Sequence, residues 1–287
     1  MGFQLHPDTE LGSVQLKVSN LERSLVFYEQ IIGLTILTRN EDVVQLTADG
    51  KEPLLILQEE PNAQIYPPNS TLGLYHVAIL LPERKNLGAF LKHVIEHRLE
   101  IGSADHFVSE AIYLADPDHN GLEIYWDRPK TGWIKVDDTN YKMVTERIDG
   151  EGLIREAGNL TWKGLPEKTK IGHVHFHVHD LAESKEFYKQ LGFDVTVGNM
   201  TKMGMLFLAA GGYHHHIGLN VWAGPNAISR ANSVGISYYT IVLPTREEWL
   251  KLIRQLKGNG IPILEENDKQ CFVQDPTGIA IRLIGKE

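Results

Sequence analysis

The stretch Leu11-Gly-Ser-Val-Gln-Leu-Lys-Val-Ser-Asn-Leu-Glu-Arg-Ser-Leu-Val-Phe27-Tyr28 aligns without a gap on Ile171-Gly-His-Val-His-Phe-His-Val-His-Asp-Leu-Ala-Glu-Ser-Lys-Glu-Phe187-Tyr188. A repeat of this length governs the fold, because a repeated unit buries its apolar face against copies of itself. Each copy opens on a strand of period two, with Val174, Phe176 and Val178 facing one way. A polar N-cap follows, Asn20 or Asp180, and then a helix whose apolar stripe is expected to include Phe27 and Ile31, or Phe187 and Leu191. Gly33 and Gly192 stand where those helices should stop.

A second similarity lies inside each half. Leu74-Tyr-His-Val-Ala-Ile-Leu-Leu-Pro82 matches Ile236-Ser-Tyr-Tyr-Thr-Ile-Val-Leu-Pro244, and both lead into an amphipathic helix and close on Asp-Pro, at Asp116-Pro117 and Asp275-Pro276. Turn signals at Asp118-His119-Asn120-Gly121 and Gly211-Gly212 separate short strands. The expected fold is α+β: four βαβββ modules, 11–60, 74–126, 171–224 and 234–287, forming two similar halves whose mixed sheets curl around a cleft. The halves are read as domains 1–126 and 171–287. Residues 127–170, rich in charge and glycine, are read as a connecting segment with one short helix.

Composition narrows the function classes. The chain has 287 residues, 42% hydrophobic and 23% charged, with a formal net charge of -9. That is a packed protein without the clustered positive charge that a nucleic-acid backbone demands. Apolar runs such as Val77 to Leu81 are strand-length and exclude a membrane span. The sole cysteine, Cys271, has no partner for an internal disulfide and reads as a small strand residue in a reducing compartment. Met1-Gly2-Phe3-Gln4-Leu5-His6 carries no basic and apolar leader pattern, so the expected location is cytoplasmic. A homo-oligomer is left open.

The module order and the recurring strand, polar-Leu and Phe-Tyr pattern resemble the vicinal oxygen chelate superfamily of glyoxalases, bleomycin-resistance proteins and extradiol dioxygenases. The resemblance implies a metal in the cleft between two paired modules, held from their first and last strands. The first-strand slots here are Ser13, His76, His173 and Tyr238. The last-strand slots are Glu123, Arg282, Asn220 as the best match in the third module, and Leu57 or Gln58 in the first. His76, Glu123 and His173 are metal-ligand types, and two imidazoles with one carboxylate form the facial triad of non-heme Fe(II) oxygenases. A guanidinium cannot ligate a cation, and only joining the second module to the third collects all three residues. Each has a plainer alternative: a lone strand histidine is more often a buried polar residue, and His173, His175, His177 and His179 alternate as a polar wall would.

Further residues resemble catechol 2,3-dioxygenases and related extradiol enzymes. Tyr113, ten residues before Glu123, is expected to donate a hydrogen bond to a substrate oxygen, and His106 matches a second histidine of the pocket. Gly212-Tyr213-His214-His215-His216 places His215 at the acid/base histidine, the alternative being a chance triplet on a surface loop. His93 and His97 are read as a solvated helix surface. The resemblance therefore implies ring cleavage of catechol or a substituted catechol by Fe(II) and O₂, with Mn(II) or Zn as other occupants. A glyoxalase-like isomerase or lyase and a metal-free ligand-sequestering protein are the alternatives.

Overall fold

The computed structural model describes residues 2–138, 140–198 and 201–286. Each module folds in the expected order. The first comprises β1 (Glu10–Val18), α1 (Leu21–Phe27), β2 (Thr35–Arg39), β3 (Val43–Thr47) and β4 (Leu55–Glu59). The second comprises β5 (Gly73–Leu80), α2 (Arg84–Glu96), β6 (Gly102–Asp105), β7 (Ser109–Ala115) and β8 (Gly121–Asp127). After α3 (Gly150–Ala157) the third contains β9 (Lys170–His177), α4 (Leu181–Leu191), β10 (Asp194–Val197), β11 (Met205–Ala209) and β12 (Ile217–Asn220). The fourth contains β13 (Gly235–Leu243), α5 (Arg246–Gly258), β14 (Glu265–Glu266), β15 (Gln270–Gln274) and β16 (Ala280–Gly285).

Among the described residues the strands form two eight-stranded mixed sheets, and each takes one module from either half of the sequence. One runs β14-β15-β16-β13-β1-β4-β3-β2, the other β10-β11-β12-β9-β5-β8-β7-β6. The first module is thus paired with the fourth, and the second with the third through antiparallel β5 and β9. Alternation decides the faces: Val14, Leu16 and Val18 are buried in β1 while Gln15 and Lys17 are half-buried. The two sheets share one core, in which the rings of Phe176 and Tyr239 lie 5.3 Å apart.

The caps are where the sequence put them. Asn20 Oδ1 accepts from the Arg23 amide at 2.8 Å, and Asp180 Oδ1 from Ala182 and Glu183. Gly33 and Gly192 take the left-handed conformation, with φ of +84° and +100°. Leu191 is buried as expected, but at the other three stripe positions the most buried residue is the next one along. Tyr28 and Tyr188 are fully buried, whereas Phe27 and Phe187 are only half-buried, as is Ile31 beside buried Ile32. A carboxylate explains why the polar ring goes inside: Tyr28 donates to Asp116 Oδ2 at 2.9 Å and Tyr188 to Asp275 Oδ2 at 3.2 Å. The Phe-Tyr and Asp-Pro motifs are therefore two ends of one latch, joining the helix of one module to the closing turn of the next.

The 127–170 segment does more than connect. Its helix α3 lies so close to α2 that a Cβ on Gly88 would stand 2.1 Å from the Leu153 carbonyl oxygen. Residues upstream of α3 cross the second sheet and cover its pocket, as described below. No described helix is long and apolar enough to cross a membrane.

Candidate metal centre and adjoining pocket

In the second sheet β9 lies between β5 and β12, with β8 beyond β5. Val174 and Phe176 of β9 belong to the core, so by alternation His173, His175 and His177 face the other way. His179 does not join them, because the strand ends at His177 and His179 is exposed. His76 from β5 and Glu123 from β8 turn toward the same side. Glu123 Oε2 lies 3.0 Å from His173 Nε2 and 3.1 Å from His76 Nε2, and the two imidazole nitrogens are 3.3 Å apart. Three potential ligand atoms thus form a small triangle, all buried.

That triangle fits a cation. With metal–ligand bonds of about 2.1 Å, adjacent octahedral positions are separated by ~3.0 Å and tetrahedral ones by ~3.4 Å. The observed edges of 3.0, 3.1 and 3.3 Å span that range. The electrostatics agree. Burial alone would raise the Glu123 carboxyl, but the adjacent His173 and His76 hold it well below the usual range. Burial drives His173 down to about 4, against the pull of Glu123. A carboxylate and a neutral imidazole are the forms that bind metal. His173 Nδ1 is buried without a hydrogen-bond partner, so the ring is oriented through its Nε2 contacts.

The strand register corrects the fourth slot. Val77 pairs with Leu122 and Tyr239 with Ile281, which places the last-strand slots at Glu123 and Arg282 as expected. The same rule in the third module pairs Val174 with Ile217 and assigns the slot to Gly218, not Asn220. In the first it pairs Val14 with Leu55 and assigns Ile56, not Leu57 or Gln58. A Cβ on Gly218 would stand 2.7 Å from the His175 ring, so only glycine leaves that ring its place. Asn220 instead bonds His175 Nε2 at 3.0 Å and His177 Nδ1 at 2.5 Å. Among the described residues the centre therefore has three clustered donors, His76, Glu123 and His173.

The matching slots of the other sheet hold no metal-ligand set. Ser13 Oγ lies 3.4 Å from Thr240 Oγ1, Tyr238 packs edge-on to Phe272, and Arg282 donates to Gln270 Oε1 at 2.7 Å.

A cavity of about 370 Å³ adjoins the triad and is lined by His76, Glu123, His173, His106, Tyr113 and His215 together with Phe207, Met205 and Trp222. Its cover is Met143, Val144 and Thr145 from the 127–170 segment. These were missed in the sequence, where the one signal was an apolar Met-Val pair inside a charged stretch. His106 Nδ1 lies 2.6 Å from the Val144 carbonyl, which only accepts, so Nδ1 carries the proton. In that tautomer Nε2 accepts from the Tyr113 hydroxyl at 2.6 Å. The Tyr113 hydroxyl thus sits between His106 and the Glu123 carboxylate, at the wall of the pocket. Burial and Glu123 push the Tyr113 phenol well above its ordinary range.

The His214–His216 triplet is buried, not a surface loop. Only His215 lines the pocket, its ring 4.0 Å from that of His173. His214 bonds Asp127, and His216 Nδ1 accepts from the Ala210 amide. Burial, reinforced by neighbouring imidazoles, pushes His215 well below its ordinary range. His93 and His97 bond backbone carbonyls on the helix surface, away from the triad.

A catechol-2,3-dioxygenase of Bacillus subtilis (strain 168) is 50% identical over 274 residues, covering 95% of each chain. A solved structure of a candidate dioxygenase from B. subtilis subsp. subtilis str. 168 superposes with a TM-score of 0.68 at 10% identity, covering 99% of this chain and 86% of that one. Glyoxalase I from Zea mays superposes at 0.54 with 14% identity, covering 97% and 92%. Residues 10–124 and 170–283 each match the family described as Glyoxalase/Bleomycin resistance protein/Dioxygenase superfamily, and the chain belongs to it.

Proposed function

We propose that this chain is an extradiol ring-cleaving dioxygenase that converts catechol or a substituted catechol, with O₂, to a ring-opened semialdehyde. The observation that carries the reading is a buried triad of two histidines and a glutamate, without a fourth ligand among the described residues, opening on an aromatic-lined cavity that also holds a histidine and a tyrosine. His76, Glu123 and His173 would hold the metal, Fe(II) by this reading. A cation there supplies acidification of a bound hydroxyl and electronic coupling between an electron-rich ring and O₂. The rest falls to the side chains. His215 Nε2 takes a proton from one substrate hydroxyl and later returns it to the oxygen that needs it. Tyr113 hydrogen-bonds a substrate oxygen and, with His106 behind it, fixes the position of the diol. Phe207 and Trp222 pack the ring, and the Met143–Thr145 cover keeps water out.

The metal-dependent isomerase alternative normally uses a fourth protein ligand, and the register puts Gly218 at that slot. Anaerobically purified, iron-loaded protein should consume one O₂ per catechol and develop a yellow product. Iron-loaded protein that binds catechol yet takes up no O₂ would sink the assignment. His76→Ala, Glu123→Ala and His173→Ala should each stay folded and lose most bound metal by elemental analysis. Full metal content in two of the three would remove the triad.

A further inference from the structure

The two side chains behind His215 are not part of any role given above. His214 Nε2 lies 2.7 Å from Asp127 Oδ1, and His214 Nδ1 lies 2.7 Å from His215 Nδ1. Asp127 Oδ2 also accepts from the Tyr213 hydroxyl at 2.8 Å, and Tyr125 reaches Tyr213 at 2.8 Å. His214 is fully buried and His215 nearly so, while the Asp127 side chain retains 19% exposure. Asp127 reaches a second cavity, lined also by Lys130, Lys170, Tyr213 and His216. The hydrogen-bonded line therefore starts at a partly solvated carboxylate and ends in the metal pocket.

Its directions follow from the chemistry of the groups. A carboxylate only accepts, so His214 carries its proton on Nε2. In the tautomer that Asp127 selects, His214 Nδ1 is the acceptor, and the bond to His215 comes from His215 Nδ1–H. The other nitrogen of His215, Nε2, is left with its lone pair toward the pocket. We infer that Asp127 and His214 are positioning residues that fix the tautomer and the ring orientation of His215, so that Nε2 meets the substrate as a proton acceptor. The inference rests on the dioxygenase reading only for what Nε2 does there, not for the tautomer itself.

Asp127→Asn reverses the line. With its carbonyl kept by the Tyr213 hydroxyl, the amide NH₂ faces His214 Nε2, which must accept. His214 then donates from Nδ1, His215 Nδ1 accepts, and the proton moves to His215 Nε2. The same exchange of Asp for Asn behind a catalytic histidine costs a serine protease about 10⁴ in turnover with its geometry intact.

The test is histidine tautomer assignment by ¹⁵N NMR on the full chain loaded with Zn(II) as a diamagnetic probe. In the wild type His215 should be protonated on Nδ1 and bare on Nε2, and Asp127→Asn should invert that. With iron and catechol, Asp127→Asn should lose ~10²-fold or more in kcat with KM and metal content nearly unchanged. Should Asp127→Asn not fold, His214→Phe removes the acceptor while filling the space, and the Nδ1-protonated form of His215 should no longer dominate. A proton on His215 Nε2 in the wild type, or a tautomer unmoved by the variant that folds, overturns the inference. Because the tautomers are read without turnover, absent catechol cleavage counts against the dioxygenase reading alone.

Discussion

At the scale of the residue, the buried tyrosines show how a polar atom can reverse a hydrophobic pattern. From sequence, Phe27 and Phe187 are the natural inward residues of the Phe-Tyr pairs. The structure buries Tyr28 and Tyr188 because Asp116 and Asp275 accept their hydroxyl protons. In α1 the stripe is displaced further by a π-helical turn over Tyr28–Ile32, which breaks the 3.6-residue period. Neither partner is visible from the helix sequence alone, since Asp116 lies 88 residues away. Asp275 also accepts from the Thr277 and Ile279 amides, and burial raises its carboxyl to about 6. Tyr188→Phe should lower stability by ~1–3 kcal/mol in urea unfolding, the scale of a buried acceptor left without its donor. An unchanged midpoint would remove the latch.

At the scale of the element, β9 and β12 mark what was legible and what was not. The repeat alignment places His173 and His76 on first strands and Glu123 on a last strand, and the structure brings these three together. It could not place the third module's last-strand slot, because β12 is only Ile217–Asn220 and follows a histidine run that resembles a strand. Register, a long-range pairing, is what moves that slot from Asn220 to Gly218. The first sheet supplies a control from equivalent slots. Tyr238→Phe and Arg282→Lys should retain full metal by elemental analysis, and loss of metal in either would place the centre in that sheet.

At the scale of the whole molecule, both sheets are built across the two sequence halves, so the metal site depends on β5 of one half meeting β9 of the other. The same burial sets the response to acid. Burial lowers His175 and His215, and drives His216 to about 3. The unfolded chain therefore binds protons at these sites first. Their contribution is complete above an unfolded pKa near ~6.5 and declines as pH falls, each by up to ~1.4 kcal/mol per pH unit. Asp275, raised by burial to about 6, acts in the opposite sense below that pH, and Asp116, also raised by burial, acts in the same direction as Asp275. The histidines outweigh them, and the melting temperature of metal-free protein should fall from pH 7.5 to pH 5. A constant or rising value would contradict the burial of neutral imidazoles.

The central claim is that one metal bridges the second and third modules. The most direct measurement is an anomalous difference map collected at the iron edge on crystals of the anaerobically iron-loaded chain. A single peak within bonding distance of His76 Nε2, Glu123 Oε2 and His173 Nε2 is the result predicted. A peak in the first sheet beside Tyr238 and Arg282, or none at the triad in iron-replete crystals, would contradict the account.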